Sequence, residues 1–184
     1  MLVGIGAFEL GNAAATLLIL RATDLLTPSH GHGAAVKLAL ALYAGYNLAA
    51  TLVAVPAGHL SDRRGSVLVL ALGAAAFAGA FAGFAFVNGR ITALAVLFAT
   101  AGVGIGVCET AQSAAVAGFA PVQLRGSAFG LVSAIQAFAN LAASAIAGVL
   151  WTAISPKVAF LYLAGWSAVA LGAFAATGLR GTSI

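Results

Sequence analysis

The stretch "GHLSDRRGSVLVLALGAAAFAGAFAGFAFV", residues 58–87, decides the fold. Its first part holds three consecutive charges, Asp62, Arg63 and Arg64, in a chain of which only 7% is charged. The rest, residues 67–87, has no polar side chain. About 20 apolar residues in a helix cross the roughly 30 Å hydrocarbon core of a bilayer. The composition places the whole chain in that solvent. It is 62% apolar over 184 residues with a mean hydropathy of +1.10, against roughly 45 to 50% apolar and about 25% charged in ordinary soluble domains. A soluble fold of this size has no interior large enough for so much apolar surface.

Working outward from residues 58–87, six spanning segments are predicted: 2–25, 38–58, 66–87, 91–118, 127–151 and 158–179. Backbone polar groups in hydrocarbon are satisfied only in helices or closed barrels, and the long Ala/Leu/Gly runs lack the strict alternation of a barrel strand. The separators "TPSHGHG" (27–33), "NGR" (88–90), "APVQLRG" (120–126) and "TAISPK" (152–157) carry turn residues or charge and read as short loops. The expected fold is therefore an all-α polytopic membrane protein, one six-helix bundle over residues 1–184. The start of the chain has no basic stretch ahead of its apolar run, so the first segment is read as a spanning helix and not as a cleaved signal.

The net charge of +4 comes from eight basic and four acidic residues. It amounts to a few loop cations, with no basic surface for nucleic acid. Arg63, Arg64, Arg125 and Arg180 fall on one side, and Lys37, Arg90 and Lys157 on the other with Arg21 near that end, so the charge bias does not orient the chain. Arg21 and Asp24 stand one turn apart and could pair near a membrane face. Glycines four apart, Gly79 with Gly83, Gly102 with Gly106 and Gly126 with Gly130, suit close helix packing. The lone Cys108, in an apolar run, reads as a core residue.

Polar side chains inside spans are costly and usually face a bundle interior or a wet cavity. Here they are uneven. The first segment has Glu9 and Asn12, the second Tyr43, Tyr46 and Asn47, the fourth Glu109 and Gln112, the fifth Gln136 and Asn140. The third has none, and the sixth only Tyr162, Trp166, Ser167 and Thr177. Segments one, two, four and five are thus expected to line a cavity and three and six to face lipid. The order repeats in two triplets, and in each a carboxyl and an amide three apart share a helix face. Three plus three helices in an inverted repeat, with a midplane site at the repeat interface, is a signature of secondary transporters. Glu109, deep in its segment, is the leading candidate for proton binding or coupling, with Glu9, Asn12, Asn47, Gln112, Gln136 and Asn140 as further candidates.

Other chemistries find little support. "GVGIG" (102–106) lacks the G-x-G-x-x-G pattern and any strand before it. His30 and His32 give two ligands in a loop, a weak basis for a metal site. No Ser/His/Asp set is apparent, so neither an enzyme nor a cofactor is expected.

"GHLSDRRGSVLVL" resembles the loop motif G-x-L-x-D-R-x-G-R-R of the major facilitator superfamily, found between the second and third helices of each six-helix half. Gly58, Leu60, Asp62, Arg63 and Gly65 match, and Ser66 and Val67 replace the last basic pair. "LGNAAATLLILRATDLL" (10–26), "YNLAATLVAVPAGHLSDRRG" (46–65) and "FAPVQLRGSAFGL" (119–131) resemble the carboxyl-terminal half of such transporters, over nearly the whole chain. The resemblance implies that the 58–66 loop and both termini face the cytoplasm of a cell membrane, a bacterial inner membrane. It implies that Asp62 faces the amino end of a helix in the opposite half and that Arg63 joins a charge network closing that side. Arg125 lies in the loop between the fourth and fifth segments, on the same side as Arg63. Complete members have twelve helices, so a second six-helix half, a separate chain or a second copy, is the implied partner beside the lipid bilayer and a small solute. The expectation of a different class is a truncated, non-transporting bundle that serves as an assembly partner.

Overall fold

The computed structural model of the chain describes the backbone of residues 2–12 and 15–181, and their side chains except those of 2, 3, 119 and 178–181. The helices are α1 (Leu2–Gly11), α2 (Thr16–His30), α3 (His32–Arg64), α4 (Ser66–Phe86), α5 (Ile91–Phe119), α6 (Arg125–Ala153) and α7 (Pro156–Gly181), with a 3₁₀ turn at Val122–Leu124. Six of the resulting segments are long and apolar enough to cross a membrane, the first being Gly4–His30. The predicted all-helical, six-span architecture is the observed one. Among the described residues no strand occurs.

The first predicted loop shrinks to one residue. Thr27 to His30 belong to α2 and His32 opens α3, leaving Gly31 alone as the break. A positive φ of 75° lets this glycine reverse the chain in one residue. The second span accordingly runs 33 residues instead of the expected 38–58, about 50 Å at 1.5 Å per residue, and its charged last turn extends beyond a hydrocarbon core. Gly65, with φ 84° and ψ 147°, makes the equally abrupt turn into α4. Ser61 Oγ and Ser66 Oγ meet at 2.8 Å across it.

The polar-free third span is more than a lipid-facing helix, which corrects the reading from its composition. One face of α4 carries Leu70, Ala74, Phe77, Phe81 and Phe84, all buried, and it packs chiefly on α5 and α7. Phe77 meets Phe8 with ring centres 5.2 Å apart, and Phe84 meets Phe98 at 5.4 Å and Phe160 at 5.3 Å. Edge-to-face and offset pairs of this kind add to the burial of large rings. The opposite face, with Leu68, Leu72 and Phe86, is exposed and is the part left to lipid. A helix with no polar side chains serves both surroundings equally well.

Small residues set the other main seam. A methyl group on Gly102 would stand 2.9 Å from the Tyr46 carbonyl carbon, and one on Gly106 2.8 Å from Ala50 Cα. The four-residue spacing on α5 thus matches Tyr46 and Ala50 on α3, and the two backbones touch. Gly126 and Gly130 meet nothing within 4 Å. Cys108 is buried between α5 and α4, as expected of a core residue.

The helix pairings carry the internal repeat. Exchanging spans one, two and three with four, five and six turns the contacts of α3 with α5 into those of α6 with α1, and those of α4 with α5 into those of α7 with α1. The pairs first–second and fourth–fifth, and second–third and fifth–sixth, also interchange. Three spans per unit is an odd number, so the second unit necessarily enters the membrane from the opposite side.

Candidate functional site: a carboxyl and amide cavity

The spans that pack around α1, α5 and α6 leave a cavity of about 440 Å³, within the range of small-molecule sites. On α5 the lining residues Ile105, Glu109, Gln112, Ser113 and Val116 recur at helical spacing, as do Phe129, Val132, Ser133, Gln136, Ala137 and Asn140 on α6. Phe8, Glu9 and Asn12 complete it from the first span.

Glu9 is the hub. It is 3% exposed, and its Oε1 accepts from Gln112 Nε2 at 3.0 Å and from Gln136 Nε2 at 3.2 Å. Its Oε2 accepts from Asn12 Nδ2 at 3.3 Å. Gln136 Nε2 also donates to Gln112 Oε1 at 2.6 Å, which closes a ring of two amides and one carboxyl. Asn12 stands just past the last turn of α1, where carbonyls lack intrahelical partners. Asn140 Nδ2 donates to the Asn12 carbonyl at 2.6 Å. A buried carboxyl is tolerable only with such partners, and among the described residues no buried side-chain nitrogen or oxygen lacks one.

Glu109 differs. It lies on the cavity wall and is exposed there, and among the described residues no side chain hydrogen-bonds to it.

The structure therefore brings together six of the seven predicted transport candidates: Glu9, Asn12, Glu109, Gln112, Gln136 and Asn140. Asn47 is elsewhere, exposed on α3 and donating to the Tyr43 carbonyl of its own helix at 2.8 Å. The second span lines none of this cavity, contrary to expectation, because its contact with α5 is the glycine seam. Sequence reading missed Ser113 and Ser133. Among so many alanines and glycines, a serine has the same small size and carries no separate signal.

The loop-motif residues lie outside the cavity. Asp62 and Arg63 are exposed in the last turn of α3, and Arg125 is exposed at the start of α6, its Nε 3.4 Å from the Ala120 carbonyl. Gly58 packs on α5, where a methyl group would sit 3.6 Å from Thr110 Cγ2. Arg21 reaches across to α4, Nε donating to the Phe84 carbonyl at 3.4 Å, a favourable place for a cation at a helix carboxyl end, while Asp24 is exposed. Arg180 has its side chain outside the described residues.

A sequence profile described as Major Facilitator Superfamily matches residues 3–181. An uncharacterized MFS-type transporter of Methanocaldococcus jannaschii is 34% identical over 155 residues, which cover 84% of this chain and 38% of that protein. The chain thus spans well under half the length of the relative it matches. No solved structure matches it. A match over nearly all its residues, six membrane-spanning helices in two equivalent triplets and the G-x-L-x-D-R-x-G turn lead to one conclusion: the chain belongs to the major facilitator superfamily, a family of membrane transporters.

Proposed function

We propose that the chain is one half of a secondary transporter that moves a small solute by alternating access, with the cavity between α1, α5 and α6 as its share of the solute site and Glu109 as the coupling carboxyl. The observation that carries this is the convergence of Glu9, Glu109 and four side-chain amides on one cavity of about 440 Å³, drawn from both triplets. A site shared between two six-helix halves is one that rocking of one half against the other can open to either side in turn. Glu109 suits proton exchange because it faces the cavity and, among the described residues, is bound by no neighbouring side chain. Glu9 is committed to three amides.

A second six-helix chain, or a second copy, is the partner in this reading. α3 and α6 leave large side chains such as Leu52, Val55, Leu131 and Phe138 exposed, and these surfaces are available to it. Uptake of a panel of radiolabelled small solutes into proteoliposomes, with this chain alone and with a second six-helix chain, is the test. Saturable uptake that responds to a proton gradient is expected from the assembly. Glu109→Gln should abolish the gradient response while exchange at saturating solute persists. If no assembly gives saturable uptake, the chain is instead a non-transporting bundle.

A further inference from the structure

Counting what remains free in the cavity gives its ligand chemistry, and this step rests on the reading of the cavity as the solute site. Each side-chain amide has two N–H donors and one acceptor oxygen, and a carboxylate only accepts. Both Gln136 N–H groups are engaged, one with Glu9 and one with Gln112. The Gln112 oxygen is occupied by Gln136. Gln112, Asn12 and Asn140 have each given one N–H to a protein acceptor. Left over among the described residues are the side-chain oxygens of Gln136, Asn12 and Asn140, both oxygens of Glu109, and one donor hydrogen on each of three amides. The two serine hydroxyls can act either way.

Acceptors therefore exceed donors, and the excess includes a full carboxylate. The formal charge of the lining points the same way: among the described residues it contains Glu9 and Glu109 and no Lys, Arg or His. An anionic solute would enter against two acids with few donors to receive it. A neutral polar solute would leave the Glu109 carboxylate without a counter-charge. A primary ammonium brings a positive charge and three N–H donors. Phe129, an exposed aromatic residue on the same wall, adds a ring of the kind that attracts cations.

We propose that this half-site selects a small organic cation bearing a primary ammonium group, its charge met by Glu109 and its N–H groups received by the free carbonyl oxygens of Gln136, Asn12 and Asn140. Glu9 then acts as a positioning residue: by holding the amide hydrogens of Gln112, Gln136 and Asn12, it turns the remaining oxygens toward the solute. A carboxyl that holds either a proton or an ammonium makes the two compete, so the coupling takes the form of exchange.

The test uses the purified chain in lipid nanodiscs and three aromatic probes of similar size: 2-phenylethylamine, phenylacetate and 2-phenylethanol. Mass spectrometry reads the modification of Glu109 by a hydrophobic carbodiimide, and radiolabelled 2-phenylethylamine reads binding. The expected result is modification of Glu109 that the amine suppresses and the anion and alcohol do not, with amine binding weakened about tenfold by Glu109→Gln. That variant removes no hydrogen bond among the described residues, and its elution as a folded particle is checked alongside. Modification with equal protection by all three probes, or by none, would overturn the ammonium proposal while leaving the open cavity standing. Absence of modification in the folded chain would remove both, because Glu109 would not face an accessible cavity. Retained amine affinity in Glu109→Gln would also overturn the proposal.

Discussion

Gln112 and Glu9, 103 positions apart in sequence, are joined at 3.0 Å and together tie the first span to the fourth inside the bundle. Gln112 is 4% exposed, so its replacement by Leu takes from Glu9 Oε1 one of its two amide donors and leaves one Gln136 N–H without its acceptor. Leaving buried polar groups unmatched costs about 1 to 3 kcal/mol. Gln112→Leu should therefore lower thermal stability in detergent, whereas Ser133→Ala on the cavity wall should not. Equal midpoints for the two variants would mean that the amide ring contributes nothing to the fold.

Close approach of α3 and α5 gives the second prediction. At Gly106 an added methyl group meets the Ala50 backbone, which cannot rotate away as a side chain could. Overpacking of this kind costs roughly 1 to 3 kcal/mol. Gly106→Ala and Gly102→Ala should each destabilise the chain by that order, and Gly130→Ala, where nothing lies within 4 Å, should be neutral or slightly stabilising because alanine is the better helix former. Thermal unfolding of the three variants checks the order. All three glycines have the same spacing in sequence, and only the structure separates them.

Gly65 makes a backbone argument. Its φ of 84° and ψ of 147° lie where essentially only glycine is comfortable, and an added methyl group would touch nothing. The motif glycine is thus required by conformation and not by space. Gly65→Ala should cost about 1 to 3 kcal/mol. Gly65→Asn should give little relief, because the left-handed helical region that asparagine tolerates has ψ near 50°. A full rescue by asparagine in a thermal unfolding series would contradict this account of the turn.

These cases mark what was legible in the sequence. Span number, helical class and the triplet repeat followed from hydropathy and the placement of Glu9, Asn12, Glu109 and Gln112, because lipid admits so few alternatives. Six cavity residues were legible for the same reason: buried amides and acids are too costly to occur idly. Asn47 stands outside this cavity, and a helix carbonyl one turn back satisfies its amide locally, with no trace of this in the sequence. The central role of Glu9 was not readable either, since its partners Gln112 and Gln136 lie 103 and 127 positions away. Nor was the importance of α4, whose side chains look alike whether they meet phenylalanine or lipid.

Asp62 gives the last prediction. It stands in the final turn of α3, where the helix dipole disfavours a negative charge by about 0.3 to 1 kcal/mol, while Arg63 and Arg64 beside it are favoured. All three are exposed in this chain. Within the isolated chain, Asp62→Asn should leave the thermal midpoint unchanged or raise it slightly. An acid that its own helix does not favour is well suited to the unpaired N–H groups at another helix's amino end, which the family resemblance locates in the opposite half. In an assembly with a second half, Asp62→Asn should therefore slow transport several-fold, and Asp62→Glu should restore part of the rate by keeping the charge. Unchanged transport in Asp62→Asn would rule out a latch at this loop, and a lowered midpoint in the isolated chain would move the role of Asp62 back inside this half.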